Sequence, residues 1–184
     1  MRHAPTIALH KSVPPLPAGL GSPTGAEGGG ELENRCATAS YSLFTIGFTK
    51  TKAEDFFKKI KNSNVKKVID VRLNNISQLA GFAKRDDLKY FLAEICDCDY
   101  EHQPLLSPTK DILDDYKKKK IDWNEYELRF NNLMKMRKPE SLFNAESLNN
   151  SCLLCSEPTA HKCHRKLVAE YFKLIFQLVA VIHL

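Results

Sequence analysis

Two cysteines, two histidines, a glutamate and an arginine fall within eleven residues, Cys155-Ser-Glu157-Pro-Thr-Ala-His161-Lys-Cys163-His164-Arg165. Thiolates are nucleophiles and metal ligands, imidazoles move protons near neutrality, and guanidinium groups hold anions. The apolar run Ser151-Cys-Leu-Leu-Cys155 leading into them reads as a strand, and the residues after Cys155 read as a seven-residue loop and a helix start. A helix start carries partial positive charge and favours acidic residues in its first turn. Here Lys162, His164, Arg165 and Lys166 crowd that turn, with only Glu157 upstream to balance them. Free backbone N–H groups beside basic side chains make an anion site, and a cysteine there is biased toward thiolate. The segment therefore reads as a phosphate- or carboxylate-binding loop with a polarised thiol. In the plainer alternative Arg165 pairs with Glu157 or Asp70, and Cys163 is a small buried apolar residue.

Three chemistries compete for these groups. In a thiol enzyme, Cys155 or Cys163 is the nucleophile, His161 or His164 carries the proton, and Glu157 orients the histidine. Arg165 and the loop amides then hold an anionic group. In a metal site, Cys152, Cys155, Cys163 and His164 have ligand-like spacing. Side chains alternate along a strand, so Cys152 and Cys155 face opposite sides and cannot share one ion. Cys155, Cys163 and a histidine could still meet across the loop, but no metal and no other cofactor is assigned. A thioredoxin-like pair belongs at a helix start, which Cys152-x-x-Cys155 does not occupy, and Cys96-x-Cys98 reads as incidental thiol content.

The elements that must position these groups are legible from periodicity. Tyr41–Gly47 reads as a strand closed by a glycine. Thr51-Lys-Ala-Glu54 has capping-box spacing ahead of a helix that carries Ala53, Phe56, Phe57 and Ile60 on one face. Val65–Arg72 is the next strand, so strand, helix and strand make a βαβ unit with parallel pairing. A loop over 73–83 leads to a helix bearing Leu88, Phe91, Leu92 and Ile95, then a short strand, Asp99–His102. Ser107-Pro108 reads as a helix opening, with Lys117–Lys120 at that helix's end. Asp122 opens another helix through Trp123, Tyr126, Phe130 and Leu133, stopped at Lys138-Pro139. Residues 140–150 form a short helix or loop. The helix from about His164 buries Leu167, Val168, Tyr171, Phe172 and Ile175, and Val179–Leu184 is a final strand.

This alternation predicts a three-layer α/β domain, a mainly parallel sheet with helices on both faces. In such sheets ligands bind beyond the strands' carboxyl ends. Gly47 and Thr49, Asp70 and Arg72, His102, and Cys155 to Arg165 all lie at or just past such ends. The expected site has Cys155, Glu157, Cys163 and His164 as chemical groups, with Asp70, Arg72, Arg165, Gly47 and Thr49 around the anion.

Composition sets the outer bounds. The chain has 184 residues, 43% of them apolar, which suffices for one packed domain at 40–184. Residues 1–39 hold most of the prolines and glycines and read as a disordered or non-native leader. The net charge of +5 permits anionic ligands or nucleic acid without demanding them. Six cysteines without a signal-peptide pattern point to reduced thiols in a cytoplasmic setting. No apolar run reaches the ~20 residues of a membrane span, so no membrane partner is expected.

Several of these residues also carry a resemblance. Thr45-Ile46-Gly47, Ile69-Asp70-Val71-Arg72, Phe82 with Lys84, Tyr100 with His102, and Leu154-Cys155-Ser-Glu157 followed by Cys163-His164-Arg165 resemble the family catalogued as domain of unknown function 488, over about residues 41–184. The resemblance implies an α/β fold and a shared polar cluster, with no agreed reaction. The Ile-Asp-Val-Arg strand is also similar to a strand end of rhodanese-type sulfur transferases. The chain departs from the family at Phe48-Thr49, where many members carry His-Ser, and at Leu105–Pro108, where many carry Leu-Gly-Gly. No role for that histidine is carried over. Two readings stay open, an enzyme acting on a phosphate, nucleotide or nucleic-acid substrate, and a cluster that binds anions or pins a loop without turnover.

Overall fold

A computed structural model describes residues 41–76, 80–178 and 180–184. The expectations for the leader, for the middle of the 73–83 loop and for Val179 lie outside the described residues. Five strands form one sheet, β1 (Ser42–Gly47), β2 (Lys67–Asp70), β3 (Asp99–His102), β4 (Ser151–Cys155) and β5 (Ala180–His183). Their order is β3-β2-β4-β1-β5 and every pairing is parallel. Parallel strands need crossovers, and the crossovers cover both faces. On one face α1 (Ala53–Asn62) and α2 (Arg85–Cys96) pack Phe56, Phe57, Ile60, Leu88 and Leu92 against Phe44, Val68 and Leu154. On the other lie α3 (Lys110–Lys117), α4 (Trp123–Arg137), α5 (Ala145–Leu148) and α6 (His164–Phe176). Their Phe130, Met134, Val168 and Phe172 meet Leu43, Ile69 and Leu153. Each such side chain contributes about 1.5–3 kcal/mol when fully buried, so the sheet is clamped from both sides.

Two helix starts differ from the spacing argument. Thr51 does not cap α1, which begins at Ala53 after Lys52 with no side-chain cap. Ser107 does not cap α3 either. Its hydroxyl donates to the Pro104 carbonyl at 2.7 Å, closing a 3-10 turn, and α3 begins only at Lys110. In both places a local turn satisfies the backbone before the helix begins. Asp122 does cap α4, accepting from the Glu125 N–H at 2.9 Å.

The topology fixes where the chain divides. β1 hands the chain to α1 on one face, and its neighbour β4 hands it to α6 on the other. The crevice beyond two such strand ends is the usual ligand position in open parallel sheets. Gly47 and Cys155 are register partners at that divide.

Candidate functional site

The loop after β4 folds back over the end of β1. Ser156 accepts a hydrogen bond from the Thr49 N–H at 3.1 Å, and the Glu157 carbonyl lies so near Gly47 that a Cβ there would come within 1.7 Å of it. Gly47 is therefore a close-approach glycine. It lets two backbones pass where any side chain would hold them apart. This contact brings the loop, the first turn of α6 and the end of β4 together.

Three of the expected chemical groups meet beneath that loop. Cys155 Sγ lies 3.5 Å from His164 Nδ1, and His164 Nε2 lies 2.9 Å from the Val71 carbonyl oxygen. A carbonyl only accepts, so Nε2 carries a hydrogen and, in the neutral ring, Nδ1 offers its lone pair to Cys155. The Cys163 thiol donates to Cys155 and holds its pKa below the ordinary thiol value, against the opposing effect of burial. The Glu157 N–H, the Arg165 charge and the Ser156 N–H act in the same direction. Cys163 moves the other way, raised by that same hydrogen bond and by burial. Of the two candidate nucleophiles, Cys155 is the one biased toward thiolate. Donor atoms of Cys155, Cys163 and His164 all lie within 4.8 Å of one another, so these side chains are the ones placed to share a metal ion.

The basic residues of the first turn separate. Lys162 and His161 are exposed, and Lys166 reaches Glu170 at 3.4 Å. His164 and Arg165 point inward. Arg165 is 1% exposed, yet among the described residues no carboxylate pairs with it. Its Nη1 donates to the Glu157 backbone carbonyl at 2.6 Å and approaches Cys163 Sγ at 3.5 Å, while its Nε has no hydrogen-bond partner among the described residues. The Glu157 side chain is exposed, so this residue enters the site through its backbone, and the Val71 carbonyl orients His164 in its place. A backbone carbonyl leaves no trace in residue type, and sequence reasoning had no signal for it.

Asp70 and Arg72 make a separate network. Arg72 donates from Nε and Nη2 to the two Asp70 oxygens at 2.8 and 2.6 Å, and Tyr100 donates its hydroxyl to Oδ2 at 2.6 Å. Asn75 donates to the Tyr100 oxygen, and His102 Nε2 lies 2.9 Å from the Arg72 carbonyl. The Phe48 ring sits 5.1 Å below the Arg72 guanidinium. Burial works to lower the Arg72 pKa, but the Asp70 hydrogen bonds and charge outweigh it and leave it raised. Alternation puts Val71 in the core with Cys155 and Cys163, and Phe48 in the opposite core. Asp70 pairs with Arg72, not with Arg165, and the Val71 backbone, whose N–H donates to Leu154 and whose carbonyl meets His164, joins the two expected halves of the site.

Burial of the thiols sets a pH dependence. Cys98 is pushed up to about 12 by burial, and burial also raises Cys152. In the unfolded chain thiols lose their protons near pH 8.5. Above that pH the folded chain binds protons the unfolded chain has released, so stability falls as pH rises toward 12. Cys155, being lowered, acts oppositely and only below about 8.5. The urea midpoint should therefore hold or rise to about pH 8 and fall above about pH 9. A midpoint still climbing at pH 10 would contradict these burial assignments.

A family model described as "Domain of unknown function DUF488" matches residues 52–172. The matched span holds Asp70, Arg72 and every group of the Cys155–Arg165 segment, and leaves β1 and β5 outside. Comparison with curated proteins and with solved structures finds no match. No helix among the described residues is long and apolar enough to cross a membrane.

Proposed function

The chain belongs to the DUF488 family, and from its own site we propose that it is a thiol enzyme acting on a small phosphate- or nucleotide-like anion, with Cys155 as nucleophile. The observation that carries this reading is the Cys155–His164 pair at 3.5 Å beside a buried arginine with which no carboxylate pairs among the described residues. His164 takes the Cys155 proton at Nδ1 while the Val71 carbonyl holds the opposite N–H. Arg165 neutralises the substrate anion and steadies charge that develops during attack. Access comes from the loop over 156–162, whose outer residues are exposed. An anion that takes Arg165 Nη1 away from the Glu157 carbonyl removes one of the bonds holding that loop down. A reducing, cytoplasmic compartment belongs to the same proposal, because it keeps Cys155 and Cys163 from pairing.

A nucleic-acid substrate is the extended version of this reading. Lys50, Lys52, Lys58 and Lys59 line a groove of about 610 Å³ beside the turn that follows Gly47, a path a phosphate backbone could take. The rival reading, a purely structural cluster, draws on the Arg165–Glu157 bond as a staple between α6 and its loop.

Site-resolved alkylation with iodoacetamide separates these readings. An ordinary thiol is only a few per cent thiolate at pH 7, so Cys155 should react about tenfold faster than half-buried Cys96. Inorganic phosphate or a nucleotide should slow Cys155 alone, and Arg165→Met should abolish the protection. Equal, slow labelling of every thiol would end the enzyme reading. Fast labelling without protection would leave Arg165 as a staple.

A further inference from the structure

Cys155 Sγ, Cys163 Sγ and His164 Nδ1 also meet the requirements of a soft-metal site. In tetrahedral zinc sites sulfur lies at about 2.3 Å and nitrogen at about 2.0–2.1 Å, which sets each S···N edge at roughly 3.5 Å. The Cys155 Sγ–His164 Nδ1 distance is 3.5 Å, and all three donor atoms fall within 4.8 Å of one another. The outer support is in place as well. The second nitrogen of a ligating histidine is normally fixed by a carbonyl or carboxylate, and His164 Nε2 meets the Val71 carbonyl at 2.9 Å. Arg165 Nη1 directs an N–H at Cys163 Sγ from 3.5 Å, a contact that favours the thiolate a metal needs. Cys152, which spacing alone would add to the set, is excluded because it lies in the core on the far side of the sheet. Three protein ligands leave the fourth position for water or substrate.

We propose that the reduced protein binds one zinc-class divalent cation through Cys155, Cys163 and His164, and that this occupancy reversibly shuts off the Cys155 nucleophile. The blocking role rests on the thiol-enzyme reading above, whereas the binding itself rests on donor geometry. Protons balance simply. Coordination forms two metal–sulfur bonds and one metal–nitrogen bond, and it displaces the Cys163 proton and the single proton shared by Cys155 and His164, both taken up by buffer. No redox change occurs, and a chelator reverses the step. Soft thiolates and an imidazole favour zinc or cadmium over magnesium or calcium.

The test uses the full chain, reduced and stripped of metal, with zinc and cobalt as probes. One zinc per chain should bind in competition with a chromophoric chelator. The cobalt form should show thiolate-to-metal charge-transfer absorption. Cys163→Ser should weaken binding by at least about tenfold, the scale of losing part of a metal's shell, while Cys96→Ser leaves it unchanged. In the wild-type protein, which avoids any folding defect, zinc should slow Cys155 alkylation at least as much, and EDTA should restore it. Magnesium should do neither. Absence of stoichiometric zinc, binding insensitive to Cys163→Ser, or zinc binding that leaves Cys155 alkylation untouched would each overturn the proposal. Slow Cys155 alkylation in the metal-free protein would instead count against the thiol enzyme, and charge-transfer absorption lost in Cys163→Ser would still establish the metal site.

Discussion

Asp70→Ala should lower stability by about 3–5 kcal/mol, because removing one partner of a buried ion pair leaves the other charge uncompensated. Arg72 is 3% exposed and has its guanidinium aimed at both Asp70 oxygens. Without the carboxylate it keeps the Phe48 ring and the Tyr100 oxygen as favourable neighbours, neither carrying a full opposing charge at neutral pH, and Tyr100 loses its acceptor. Urea titration checks this directly, and the melting temperature should fall by on the order of 10 °C for a domain of this size. Replacing both members of the pair by apolar residues should cost less than Asp70→Ala alone, since an empty pair is cheaper than half a pair. A change within about 0.5 kcal/mol for Asp70→Ala, the scale of an ordinary surface substitution, would show that Arg72 finds another partner and that the network is not what holds the end of β2.

Gly47→Ala should act on the loop and through it on Cys155. The added methyl would meet the Glu157 carbonyl oxygen at 1.7 Å, and that atom is backbone, so the loop must move. Overpacking of this kind costs about 1–3 kcal/mol, and a backbone contact belongs at the upper end. Displacing Glu157 and Ser156 also removes N–H groups that favour the Cys155 thiolate. The midpoint of the pH–rate profile for Cys155 alkylation should therefore rise, even where a looser loop admits reagent more easily. Reading the midpoint separates thiolate stabilisation from access, because access changes the plateau and leaves the midpoint in place. An unchanged midpoint with unchanged stability would mean that the loop tolerates the methyl and that Gly47 is incidental to the site.

Periodicity alone located the strands and helices around the site, because each element buries one face and its apolar spacing records which. Strand alternation also predicted, correctly, that Cys152 and Cys155 belong to opposite faces. Capping was less legible. Thr51 and Ser107 have the right residue types, but local turns at Phe48–Thr51 and Pro104–Leu106 satisfy the backbone first. The segment from Cys155 to Arg165 stood out as the candidate site through its density of thiol, imidazole and guanidinium groups. It could not say which would meet. Residue types state what a group can do, whereas partnership depends on distances set by chain segments far apart in sequence. The Val71 carbonyl that fixes the His164 tautomer, the Gly47 surface that receives the loop, and the choice of Arg72 over Arg165 as partner for Asp70 are all such distances. Tertiary structure alone decided them, because backbone position and the face on which a side chain emerges arise only when the sheet and its covering helices are assembled.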